Sequence, residues 1–395
     1  MAIRVLLANE FGSGRGHVMS LLRAGQALGP GCEFEAALCR RTFAAELAPL
    51  QAVIHDGPHL AYRPRGRNGP NGVPTSTWGE FLGDRGFDSP ARLRAVLGWW
   101  QQVIRTRRIG LVIADYAPLA LVAARASGVP SVATGQGYGL PPAHLAEFPV
   151  LHPPGDRRLH EEAALLNNVN QACDALGMPT LRALPEVYHS TRPMVRSLPM
   201  LDPYAGYRRH PHVMPEVDIS TQVAASGDEV FVYFSTRELA DPQIVAALAA
   251  LPLPRRGFLP LVSADVARRL AASGMIVEPA PVPVDQIARR SRLVLNAGQH
   301  GILCLALFAG LPQVCLPQHL EQDFHARRAE AAGVARVLSM ARRNRDRIIE
   351  TILSSWSDGA AAERAGALAA ELRAAASRGP QEDAAAALAG LCAVR

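Results

Sequence analysis

The chain is 395 residues long, 49% of them apolar, with a formal charge of +6. That length exceeds what one hydrophobic core usually supports, so two domains of ordinary size are expected. All 41 basic residues are arginines, scattered and set against acids along most of the chain, which argues against a nucleic-acid or anionic-membrane surface.

The opening MAIRVLLANE has an early Arg4 but no small-residue cleavage pattern, and it reads as a first strand rather than a signal peptide. Short apolar runs then alternate with longer alanine-rich and leucine-rich segments of helical period, the pattern of a parallel sheet covered by helices. IRVLLA (3–8), FEAALC (34–39), LVIADY (111–116) and SVATG (131–135) are predicted strands of a first such unit. Within it, 63–79 and the proline-rich 138–154 carry the turn residues of surface loops, and 63–79 is expected to be a mobile one. The segment 201–229, rich in proline and small residues, is the expected interdomain connection, with the boundary near 220. Residues 1–220 and 221–395 are then the two domains. VFVYFS (230–235), RGFLPLVS (256–263), LVLNAG (293–298) and PQVCLP (312–317) are predicted strands of the second unit. No internal repeat of solenoid period is present, although the halves share one architecture. The most apolar stretch, 302–317, is broken by Gly310, Pro312 and Gln313 and is too interrupted to span a membrane. The arginine cluster at 341–347 reads as a solvated helix face. The six cysteines, Cys32, Cys39, Cys173, Cys304, Cys315 and Cys392, include no pair of metal-ligand spacing and are expected to be buried thiols of a cytoplasmic protein.

Two constellations carry chemistry. In ANEFGSGRGHVMSLLRAGQAL a strand passes through Gly12, Gly14 and Gly16 into a helix predicted to begin near Val18. Glycines let the backbone turn sharply there, and a helix start offers N–H groups to an anion or a polar substrate. A dinucleotide site is one reading, with Arg40 and Arg41 after the second strand as partners for a 2′-phosphate, but the spacing is G-x-G-x-G and a histidine follows. His17 falls on the first turn of the helix, at the carboxyl edge of the first strand. Asp115 closes the apolar strand LVIAD at the same edge. Its carboxylate is placed to orient the imidazole and stabilise the imidazolium while the other ring nitrogen takes a proton from a hydroxyl. Capping or packing roles are the bland alternatives for both residues.

In NAGQHGILCLALFAGLP (296–312), polar residues sit at the start of a buried helix that follows a strand. Such a terminus suits a diphosphate through backbone N–H groups and the helix dipole, although ordinary β-α turns also use Gly and Asn. Glu321 and Gln322, in the loop after the next strand, suit neighbouring sugar hydroxyls because together they supply donors and acceptors. A plain surface loop would look the same.

With these motifs the chain resembles the nucleotide-sugar-dependent glycosyltransferases of the GT-B fold, family 1 or macrolide type, over essentially its whole length. The resemblance implies an α/β architecture of two Rossmann-like parallel-sheet domains facing across a cleft, an N-terminal acceptor domain and a C-terminal donor domain. It also implies a C-terminal helix around 381–393 that returns to the first domain. It implies His17 as general base and Asp115 as its orienting acid. Gly298, Gln299, His300 and Gly301, the turn Ser235, Thr236 and Arg237, and Glu321 and Gln322 are the candidate donor contacts. Gly16, Gln136 and Tyr138 are the candidate acceptor contacts. The motif departs from the family at Ala297, where a phosphate-binding histidine is usual, at Gln299 for a glycine, at Ile302 for Ser or Thr, and at Leu305 for a ribose-binding Glu. The expected activity is metal-independent, inverting transfer of a sugar from a nucleotide diphosphate sugar to a small-molecule or lipid-like acceptor, with no cofactor and no nucleic-acid partner. The competing readings are a non-catalytic or repurposed GT-B protein binding a nucleotide or sugar-like ligand, and a nucleotide-sugar epimerase of the same fold.

Overall fold

The computed structural model describes residues 2–12, 14–64, 66–67, 72–152, 157–217, 227–376 and 378–391. The chain divides into two compact units, Met1–Val213 with Gln381–Arg395, and Met214–Pro380. The boundary expected at 220 lies outside the described residues.

The first unit runs β1 (Ile3–Asn9), α1 (Arg15–Ala27), β2 (Cys32–Leu38), β3 (Val53–Asp56), α2 (Trp78–Leu82), α3 (Pro90–Thr106), β4 (Leu111–Asp115), α4 (Pro118–Ala126), β5 (Ser131–Gly135), α5 (Glu162–Asp174) and β6 (Arg192–Val195). Its strands form one six-stranded parallel sheet of order β3-β2-β1-β4-β5-β6. The central strands β1 and β4 read as nearly unbroken apolar runs because helices cover both faces, and Val5 to Ala8 and Leu111 to Ala114 are buried.

The second unit repeats the plan with β7 (Glu229–Tyr233), α6 (Pro242–Ala250), β8 (Arg255–Phe258), α7 (Ala264–Ala272), β9 (Ile276–Glu278), α8 (Val284–Arg290), β10 (Ser291–Asn296), α9 (His300–Ala309), β11 (Gln313–Cys315), α10 (Leu320–Ala331), β12 (Ala335–Val337), α11 (Arg345–Trp356) and α12 (Gly359–Ala375). Its parallel sheet has the order β12-β11-β10-β7-β8-β9, the same winding as the first when strands are counted from each unit's start. The last helix, α13 (Pro380–Leu388), packs Ala384 and Leu388 into the core of the first unit, and Arg192 Nη1 donates to Ala387 O at 2.9 Å.

Three expectations are corrected. The described parts of 63–79 and 138–154 are not simple surface loops: Val73, Ser76, Thr77, Trp78, Tyr138, Leu140 and Phe148 are buried. A buried ion cluster holds the first segment, with Arg67 paired to Glu80 at 3.0 Å and Asp84 at 2.8 Å, and Glu80 accepting the N–H groups of Ser76 at 2.8 Å and Leu159 at 3.0 Å. Residues 201–213 are no connection either, since Leu201, Asp202 and Tyr204 are buried in the first unit.

Candidate active site

In each sheet the winding reverses between two central strands, β1 and β4 in the first unit and β7 and β10 in the second. The carboxyl ends of such a pair form the crevice where doubly wound sheets take ligands.

In the first unit, α1 begins at Arg15 after Gly14, three residues earlier than predicted, so Gly16 and His17 lie in its first turn. Asp115 is the last residue of β4. Its Oδ1 lies 2.7 Å from His17 Nδ1, with the carboxylate side chain 4% and the imidazole 20% exposed. A carboxylate only accepts, so Nδ1 carries the proton and Nε2 is the basic nitrogen of the neutral ring. Asn9 Nδ2 donates to the Asp115 carbonyl at 2.9 Å and ties the ends of β1 and β4 together. The glycines act differently from expectation, for none of Gly12, Gly14 and Gly16 has a left-handed φ. Gly12 is required by packing: a Cβ there would lie 2.6 Å from His17 Cγ and 2.7 Å from Asn9 Nδ2. Gly16 is exposed and opens onto space.

Tyr116, directly after Asp115, has φ of 49°, uncommon for a residue with a side chain. Its ring centre is 4.5 Å from that of His17 and 5.1 Å from that of Phe11, and it stacks on Trp78 at 5.9 Å. Trp78 in turn stacks on Phe81 at 4.5 Å and meets Tyr138 edge-on at 5.8 Å. The structure thus links Tyr138 to the His17 neighbourhood through rings, and its hydroxyl bonds His152 Nε2 at 2.8 Å. Gln136, half-buried, follows β5 in the same loop. Arg208 holds that loop, donating to Leu140 O at 2.6 Å and Gly137 O at 3.2 Å while pairing with Asp202. Burial pushes the Asp202 carboxyl up, but hydrogen bonds from His212 and Arg208 outweigh it and bring it down to about 2. Glu10, at the end of β1, accepts the Leu119 and Ala120 N–H groups at 3.2 and 2.7 Å at the start of α4, and burial pushes it up to about 8. Tyr138 is the one of these neighbours that the sequence offered as a candidate; Phe11, Trp78, Glu10 and Asp202 had no such signal.

Arg41 is taken up by Asp56 and Ile54 O, at 3.2 and 3.0 Å.

In the second unit, Ser235 is buried, and Thr236 and Arg237 are exposed beyond the end of β7. Glu238, which the sequence reading passed over, is fully buried and joins both switch-point loops. It accepts from Thr236 N at 2.7 Å, Thr236 Oγ1 at 2.8 Å and Gln299 Nε2 at 2.8 Å. Gln299 Oε1 accepts from Ala297 N at 2.9 Å. Asn296 is buried between strands, taking Gly298 N at 2.6 Å and giving to Gln313 Oε1 at 2.9 Å. Gly298 has φ of +86° and lies against the Gln322 carbonyl, so a side chain is excluded there on both counts. Gln299 is the residue before α9, and Gly301 is exposed in its first turn. His300 is buried, with its ring centre 5.3 Å from that of His325 and its Nε2 3.6 Å from Cys304 Sγ. Ile302 and Leu305 are buried apolar positions. Glu321 and Gln322 are not in a loop, because α10 begins at Leu320; Glu321 is half-buried and Gln322 Oε1 accepts from Gln318 N at 2.8 Å. Among the described residues no group of three or more His, Cys, Asp or Glu is arranged to hold a metal ion, and no helix is long and apolar enough to cross a membrane.

No protein-family model matches the chain, and no curated protein sequence matches it. Its fold is shared with solved glycosyltransferases. The glycosyltransferase of kitacinnamycin is 19% identical, with 99% of each chain covered and a TM-score of 0.67. CalG4, the calicheamicin glycosyltransferase, is 18% identical over 98% of this chain and 99% of its own, also with a TM-score of 0.67. The spinosyn rhamnosyltransferase SpnG, solved with thymidine diphosphate, is 18% identical over 95% of this chain and 96% of its own, with a TM-score of 0.62. The two Rossmann-like parallel sheets therefore form the GT-B fold that these solved glycosyltransferases share.

Proposed function

We propose that the chain is an inverting glycosyltransferase that moves a sugar from a nucleotide diphosphate sugar to a hydroxyl of a small-molecule or lipid-like acceptor. The observation that carries this reading is the 2.7 Å contact of His17 Nδ1 with buried Asp115 at a sheet switch point. The acceptor O–H proton passes to His17 Nε2, and the oxygen attacks the anomeric carbon on the face opposite the leaving diphosphate, which inverts that centre. Asp115 keeps the ring in the productive tautomer and stabilises the imidazolium.

The first unit is assigned the acceptor, with Gly16, Gln136 and Tyr138 near the base, and the second unit the donor. Since Ala297, Ile302 and Leu305 offer no polar side chain, the diphosphate is assigned to the N–H groups at the start of α9, around Gly298 to Gly301, and to Thr236 and exposed Arg237. Glu321 is assigned to the sugar hydroxyls, with Gln322 beside it. Helix start and guanidinium, rather than a metal, carry the leaving charge in this reading. SpnG has been solved with thymidine diphosphate and with spinosyn aglycone, and SsfS6 of Streptomyces sp. SF2575 with thymidine diphosphate, which supports a nucleotide donor and a small-molecule acceptor here.

The test is a thermal-shift screen of the full chain against UDP, TDP, GDP and their sugars, followed by turnover of the best donor with and without EDTA. A nucleotide should stabilise wild type and His17→Ala alike, with turnover falling ~10²–10⁴-fold in the variant and EDTA changing nothing. Full turnover by well-folded His17→Ala overturns the mechanism, and binding without any turnover by wild type favours the non-catalytic reading.

A further inference from the structure

At the carboxyl edge of the first sheet Arg85 has no ion-pair partner among the described residues. Arg85 lies in the π-helical turn Gly83–Phe87, half-buried, with its guanidinium carbon 4.9 Å from the Phe81 ring centre, 5.1 Å from that of Tyr62 and 5.3 Å from that of Phe11. Among the described residues its one hydrogen bond runs from Nη1 to Leu60 O at 3.2 Å, and its Nε is buried without an acceptor. The adjacent carboxylate, Asp84, is committed to Arg67 at 2.8 Å and His160 at 3.2 Å. Burial pulls the Arg85 guanidinium below its usual range. Ring faces offset only part of the cost of taking a charge out of water. The cation also stands close to the chemistry, because Phe11 touches Tyr116 and Tyr116 touches His17. Tyr62 is exposed and Phe81 half-buried, so these rings present open surface beside the guanidinium.

We infer that Arg85 receives a carboxylate on the acceptor, and that the acceptor is a hydroxylated aromatic acid whose flat body lies on the rings of Phe81, Tyr62 and Tyr116. The inference rests on reading the first unit as the acceptor unit. A guanidinium fork matches a planar carboxylate through its Nη edge, and surrounding rings exclude the water that would weaken the pair. A flat apolar body gains offset or edge-on contacts on the same rings.

Calorimetry of the full chain with 4-hydroxycinnamate and with its methyl ester tests this, since the two differ in charge and little in shape. Wild type should bind the acid ~10-fold or more tightly than the ester, the scale of a charge-assisted hydrogen bond. Arg85→Met should lose that preference while remaining folded, because it breaks no ion pair and only a single hydrogen bond, to Leu60 O. Equal binding of acid and ester by wild type, binding of neither, or an undiminished preference in Arg85→Met overturns the inference, and the wild-type comparison decides even if the variant does not fold. Binding of the acid through Arg85 in a chain that transfers no sugar leaves this inference standing and removes the transferase reading. Transfer to neutral acceptors, undiminished in Arg85→Met, does the reverse.

Discussion

The two switch points have the same winding and opposite chemistry. At the end of β1 and β4 a partly exposed histidine rests on a buried aspartate, with a glycine cleared from its path and aromatic rings beside it. At the end of β7 and β10 the buried carboxylate is Glu238, and its acceptor capacity is spent on Thr236 and Gln299 of the same unit. Topology provides the place twice, and the side chains decide its use. One crevice holds an imidazole paired with a buried carboxylate. The other is braced internally, with Arg237 exposed beside it.

The largest expected effect breaks the contrast on the first side. Asp115→Asn should cut turnover ~10²-fold or more with nucleotide affinity unchanged, because an amide fills the same space without stabilising the imidazolium. Equal losses of turnover and nucleotide affinity would make the pair a structural feature of both units. On the second side, Glu238→Ala should leave turnover chemistry at His17 untouched but lower unfolding free energy by about 1–3 kcal/mol, since it strips the acceptor from Thr236 N and Gln299 Nε2. A denaturant midpoint equal to wild type would show that Glu238 braces nothing.

The smallest effect concerns proton binding in the first unit. Glu10 and Glu162 are pushed up by burial from 4.5 to about 8 and about 7, so the folded chain holds protons that the unfolded chain releases, and stability falls as pH rises through these windows. Asp202 has the opposite sign: held down to about 2, it adds stability above its ordinary 3.8 and loses it as pH falls toward 2. Chemical denaturation across pH should show Glu10→Gln confining the neutral slope to below about pH 7, where Glu162 still titrates. A slope that persists unchanged up to about pH 8 in Glu10→Gln would mean that Glu10 is ionised in the folded protein.

The central strands were legible because burial on both faces demands unbroken apolar runs, and all eight predicted runs contain strand. The edge strands β3, β6, β9 and β12 were not, because they are three or four residues long and partly exposed, so composition carries little trace of them. Gly and Pro density at 63–79 is silent on exposure, which Arg67, Glu80 and Asp84 settle from three separate positions. Likewise, Glu321 and Gln322 were visible as a polar pair, while the helix beginning at Leu320 was hidden by its weak amphipathic pattern.

The sequence by itself determined the fold class and two polar candidates, His17 at a helix start and Asp115 at a strand end, since apolar periodicity and the residues that open or close a run are local properties. Tertiary structure alone decided that these two side chains meet at 2.7 Å, that Gly12 serves the imidazole rather than a turn, that Glu238 is buried, and that Arg85 stands among rings with no ion pair among the described residues. Whether a charge is buried, and what faces it, depends on segments tens of residues apart in the chain, and no local pattern of residues encodes that distance.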